Sequence, residues 1–147
     1  MSEFEFRASP RTEVERLKLV MVERLRRGEL AREVFGEYLV QLVELVNQVY
    51  MGLEPLERGL FSNYFEELVG RYFTSYLGIP PPDVKFYEML PSEYVGKVLE
   101  YAYRMLRPKT RGQTEYDIRE TIEMKTIYTL TKALELILKL TAPKDIA

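Results

Sequence analysis

The sequence predicts an all-α fold: a four-helix bundle-like core over about residues 33–141, with a projecting N-terminal helix and arm. Three observations carry that prediction. Apolar residues recur at steps of three and four in several long stretches. Prolines fall between those stretches and not inside them. Residues 11–33 are rich in Leu, Arg and Glu, which favour helix over strand.

Taken in order, residues 1–10 have no helical period. Phe4, Phe6 and Ala8 alternate with Glu5, Arg7 and Ser9, which reads as an extended arm or, equally, as a disordered terminus. Pro10 suits the first position of a helix, with Ser9 as its N-cap and Glu13 in the first turn. The helix expected over 11–33 has apolar residues on nearly every side, Leu17, Leu19, Val20, Met21, Val22, Leu25 and Leu30, with cations among them. Such a helix asks for contacts on several sides, and Gly28 should weaken or bend it near its end.

Residues 35–53 form the stretch around which the rest is expected to organise. Phe35, Leu39, Leu42, Val46, Val49 and Leu53 make an apolar seam widened by Val43 and Tyr50, and Glu37, Gln41, Glu44 and Gln48 line the opposite face. Pro55 stops that pattern, residues 56–59 make a connection, and a helix follows over 60–77, carrying Phe61, Tyr64, Phe65, Leu68, Val69, Tyr72, Phe73 and Tyr76. Gly78 and Pro80–Pro82 end it and make a rigid hinge. Residues 84–89 fit either an extended piece or one turn. Pro91, Ser92 and Glu93 open the next helix, continued by Tyr94, Val95, Val98, Leu99, Ala102, Met105 and Leu106. A cationic loop precedes the last helix, about 115–141, whose seam is Ile127, Leu130, Leu134 and Ile137, with Leu136 and Leu140 beside it.

At 147 residues the chain can bury a real core. It divides on paper into an N-terminal arm and helix, 1–33, for neighbour or nucleic-acid contact, and a helical bundle, 34–147. Net charge is −2, so there is no general attraction to polyanions, but the distribution is uneven. Residues 1–33 carry eight Lys or Arg and seven acids, 34–100 four and ten, and 101–147 nine and six. Few Asn and Gln, no Cys and many Glu and Arg fit a source living at high temperature. No signal peptide or membrane span is expected, and a virion or cytoplasmic location follows.

The absences narrow the chemistry. Without Cys there is no disulfide, thiolate metal site or cysteine nucleophile, and without His the commonest general base and metal ligand are missing. No glycine spacing matches a phosphate-cradling loop. Glu66/Glu67 and Asp117/Glu120 could in principle meet a hard cation, but as neighbours on helices they read as surface salt bridges. No enzyme, metal or cofactor is expected.

Binding is the remaining chemistry. Arg7, Arg11, Arg16, Lys18, Arg24, Arg26, Arg27 and Arg32 form one set of candidate phosphate contacts, and Arg107, Lys109 and Arg111 in the cationic loop form a second. Most acids near the first set lie within one turn of a cation, so an intrahelical salt-bridge ladder explains them equally well. The eleven Tyr and seven Phe could stack on bases, although at helical spacing they fit a core. In layout and composition the chain resembles the major capsid proteins of filamentous viruses of hyperthermophilic archaea. That resemblance implies an N-terminal helix wrapping duplex DNA, an outward-facing bundle, and partnership with itself or a homologous subunit. The expected function is then a structural subunit coating DNA without sequence specificity. The alternative is a protein-interaction or scaffold subunit of a cellular complex, such as a small helical subunit of a CRISPR effector, docking through the exposed side of helix 11–33.

Overall fold

A computed structural model describes residues 9–107 and 114–141. The fold is all-α, five helices around a compact core: α1 Pro10–Arg26, α2 Ala31–Met51, α3 Pro55–Tyr72, α4 Pro91–Leu106 and α5 Glu115–Leu140. α2 and α5 are the central pair, packing on each other and each touching α1, α3 and α4. Their shared interior holds Leu39, Leu42 and Val46 from α2 and Leu130, Leu134 and Ile137 from α5, all buried. The seams expected from periodicity therefore face each other. Thr126 and Thr129 lie buried in the same helix, and their hydroxyls donate to the carbonyls of Ile122 and Lys125, both at 2.7 Å. No buried polar penalty arises there.

The start of α1 follows the expected chemistry: Pro10 occupies the first turn and the Ser9 hydroxyl accepts from the Thr12 amide at 3.2 Å. Its end does not. The helix expected over 11–33 stops at Arg26, and the chain reverses through Gly28 at φ 91°. The amides of Arg27, Gly28 and Glu29 donate to the carbonyls of Glu23, Leu25 and Arg24, closing the last turn. A left-handed φ strains any residue with a Cβ, so Gly28 is a stop and not a bend.

The reversal also overturns the expectation of a projecting helix. α1 and α2 form a helical hairpin: Arg24 meets Glu37 near the turn, and Leu17 lies near Leu45 and Gln48 further along. α1 packs on α2 and α5, with Val14 and Leu17 only 6% and 7% exposed. Short connections make neighbouring helices antiparallel, and burying this apolar strip on the adjacent bundle costs little chain entropy. The opposite side stays in solvent, with Leu19 71% exposed and Val20 and Val22 each 45% exposed.

α3 starts earlier than the 60–77 helix the sequence suggested. Pro55 opens it, and the Glu57 carboxylate accepts from the Glu54 amide at 3.1 Å. The residues read as a connection, 56–59, are its first turn. α3 ends in a π-helical turn, Phe73–Leu77, closed by Gly78 at φ 68°. The proline segment then crosses back close to α3, where a Cβ on Gly70 would stand 3.4 Å from Pro81 Cγ. Tyr101 of α4 pins it, its hydroxyl donating to the Pro80 carbonyl at 2.5 Å.

The short piece after the hinge contains one 3-10 turn, Phe86–Glu88. Phe86 is buried amid aromatics, its ring centroid 4.4 Å from Phe65, 5.4 Å from Tyr50 and 5.1 Å from Tyr87. Most of the aromatic crowd thus serves the core.

Candidate docking cleft

α1, α2 and α5 do not close completely along their shared edge. Between them lies a cleft of about 290 Å³. Its apolar lining comes from Met21 of α1, Phe35 and Tyr38 of α2, and Met124, Ile127 and Tyr128 of α5. At one end sits a polar group. The buried Tyr38 hydroxyl donates to Glu135 Oε2 at 2.5 Å, and Lys18 Nζ stands 3.7 Å from the same oxygen. Burial first, and the adjacent Glu135 carboxylate second, push the Tyr38 phenol well above its usual range. It is therefore a fixed donor at any ordinary pH. These three residues come from three helices, which is why no local pattern announces them.

The apolar surface continues past Tyr128. On its far side a shallower hollow is lined by Tyr76, Leu77 and Met124, and the Tyr76 and Tyr128 rings stack at 5.9 Å. Along this groove α5 presents Lys125, Lys132 and Lys139, spaced by seven residues and so on one side of the helix, roughly 10 Å apart. Lys132 lies over the Tyr128 ring at 5.4 Å. Among the described residues none of the three has a carboxylate partner within ion-pair distance; the ion pairs involve other cations. The seven-residue spacing was visible in the sequence; what it flanks was not.

The cations singled out from the sequence are placed differently. Arg7, Lys109 and Arg111 lie outside the described residues. Arg11 donates to the Lys139 carbonyl at 3.2 Å. Arg16 pairs with Glu13 at 3.0 Å, and Arg26 and Arg27 share Glu23 at 3.4 and 3.7 Å. Arg24 bridges Glu29 and Glu37 at 2.8 and 2.5 Å, Arg32 reaches Glu123 at 2.9 Å, and Arg107 holds Glu115 at 2.6 Å. These residues are not gathered into one surface. Lys18 alone among them joins the cleft lining. Of the paired acids considered for a cation, Glu66 meets Lys85 and Glu67 meets Arg71, and among the described residues no group of three or more acids could hold a metal. No helix among them is long and apolar enough to cross a membrane.

The Arg107–Glu115 pair joins the end of α4 to the start of α5 across the cationic loop. The Arg107 guanidinium, with the Tyr103 hydroxyl as second donor, holds the Glu115 carboxyl down to about 2. A folded-state value below the unfolded one means the contact's contribution is present above the ordinary carboxylate range and lost as pH falls from about 4.5 toward 2. A carboxyl-detected NMR titration should place the Glu115 midpoint near 2, and Arg107→Gln should raise it. A wild-type midpoint in the ordinary carboxylate range would contradict the pairing.

Compared with known proteins, the chain matches no family model, no curated protein and no solved structure.

Proposed function

We propose that this protein is a non-enzymatic assembly subunit that works by docking to other protein subunits. The carrying observation is the solvent-open apolar groove of Met21, Phe35, Met124 and Tyr128 beside three lysines of α5 that lack carboxylate partners among the described residues. Leaving such a surface in water costs free energy in proportion to its area, and covering it with an apolar, acidic partner recovers that cost. A helix laid in a groove is the recognition mode that this geometry suits.

Coating of DNA, the function expected from the resemblance to capsid proteins, stands second. It draws support from residues 10–27, where six cations meet three acids, and from the exposure of Arg16, Arg26 and Arg27 on the outer side of α1. It requires α1 to be enclosed by sister molecules and phosphate on all sides. α1 instead lies on its own bundle, and its cations face carboxylates that would repel a phosphate backbone.

Sedimentation of the pure protein, with and without long duplex DNA and across a salt series, separates the readings. Particles heavier than the 17.4 kDa chain that form without DNA and are unaffected by it are the expected result. A monomer at every concentration, alone or with DNA, overturns assembly. DNA-protecting filaments whose affinity falls by about 0.9 log units per log unit of salt for each phosphate contact establish the coat reading instead.

A further inference from the structure

The groove has a counterpart on the same molecule. α3 carries Leu56, Leu60 and Tyr64 on its outer side, one turn apart, and the two leucines are 86% and 72% exposed. Among the described residues nothing covers the two leucines, and their i, i+4 contact with each other leaves both largely in water. The charge around it is opposite to that of the groove. Residues 54–67 contain four acids, Glu54, Glu57, Glu66 and Glu67, and one cation. That cation, Arg58, turns away from the ridge to donate to the carbonyls of Tyr50 and Met51 at 3.1 and 2.8 Å. Glu54, Glu57 and Glu67 are exposed beside the leucines.

We propose that the groove of one copy receives the α3 ridge of a second copy, so that subunits join head to tail. Leu60 would enter between Met124 and Phe35, with Leu56 and Tyr64 on either side along Tyr128 and Tyr76. Glu54 and Glu57, with Glu67 shared between Arg71 and the neighbour, would then face Lys125, Lys132 and Lys139, which lack carboxylate partners among the described residues. The acids that flank the ridge, Glu54 to Glu67, are thirteen steps apart, roughly 20 Å of helix, and Lys125 to Lys139 are fourteen steps apart, roughly 21 Å, so the two charged rows run on the same scale. Ridge and groove share no residue, so each subunit uses a different face toward each neighbour. Such heterologous contacts close into rings or continue as filaments, and do not stop at a two-fold dimer. The proposal rests on the assembly reading above and names the partner of that same site.

The test uses the full chain in three forms, each checked for helicity by circular dichroism: wild type, Leu56→Lys with Leu60→Lys, and Lys125→Glu with Lys132→Glu. The substituted leucines and Lys125 are exposed and Lys132 is half-buried over Tyr128, so only variants that keep the wild-type helicity and melting temperature are compared. Wild type should form particles that grow with concentration, and each variant alone should sediment as a monomer. Mixed together, the two variants should form a one-to-one dimer that grows no further, because each supplies one intact face. Variants that assemble as wild type does, or a mixture that stays monomeric while wild type assembles, overturn the proposal and leave the assembly reading intact. If deletion of residues 1–8 abolishes particles and the leucine variant still forms them, the acidic, aromatic N-terminal arm is the occupant and the proposal falls. A wild-type chain that never assembles removes both.

Discussion

Phe86→Ala should destabilise the fold by about 3–5 kcal/mol, the usual cost of emptying a buried phenylalanine site. Phe86 lies outside every long helix, on a single turn between the proline hinge and α4, yet it is 1% exposed. Its ring makes edge or tilted contacts with Tyr50 of α2, Phe61 and Phe65 of α3, and the adjacent Tyr87. Removing it leaves a cavity between α2 and α3 that rigid helices cannot close, and it releases the segment running from Pro82 to Leu90. Chemical denaturation followed by circular dichroism measures the loss. A change below about 1 kcal/mol would mean that the segment collapses over the cavity, and Phe86 would not be the anchor described here.

Leu134→Ala should cost about 3 kcal/mol, or roughly 10 °C in melting temperature for a domain of this size. Leu134 is fully buried on α5, the helix that touches all four others. Truncation there is felt by α2 and α5 together, because Leu134 belongs to the same buried core as Leu130, Ile137, Leu39 and Leu42 and the two helices pack on each other. The companion Leu140→Ala, at a residue 56% exposed, should change stability by under about 0.5 kcal/mol. Equal losses at the two sites would contradict the central placement of the α5 seam.

Periodicity read the bundle well where one side of a helix is buried and the other wet. The seams of α2 and α5, the Pro91 start of α4 and the Gly78 stop of α3 all have local chemical causes, and the coordinates place them as expected. α1 was harder. Its apolar residues circle the helix, so no single face is marked, and only the hairpin made at Gly28 selects Val14 and Leu17 for burial while leaving Leu19 and Val22 in solvent. The first turn of α3 was missed because Leu56, Arg58 and Gly59 lack a buried face, which also makes Leu56 and Leu60 available as a ridge. Lys125, Lys132 and Lys139 escaped notice among nine cations of the C-terminal third, since a regular spacing has meaning only beside the groove it borders.

By itself, then, the sequence determined the helical class, most helix limits and the residues facing the central core, because hydrogen bonding within a helix and the placing of apolar side chains depend on near neighbours in the chain. Only the tertiary structure decided that α1 lies against its own bundle, that Tyr38 meets Glu135 across 97 positions, and that an apolar groove opens beside the lysines of α5. Those outcomes depend on how three helices share one edge, and that packing is settled by contacts between residues far apart in sequence.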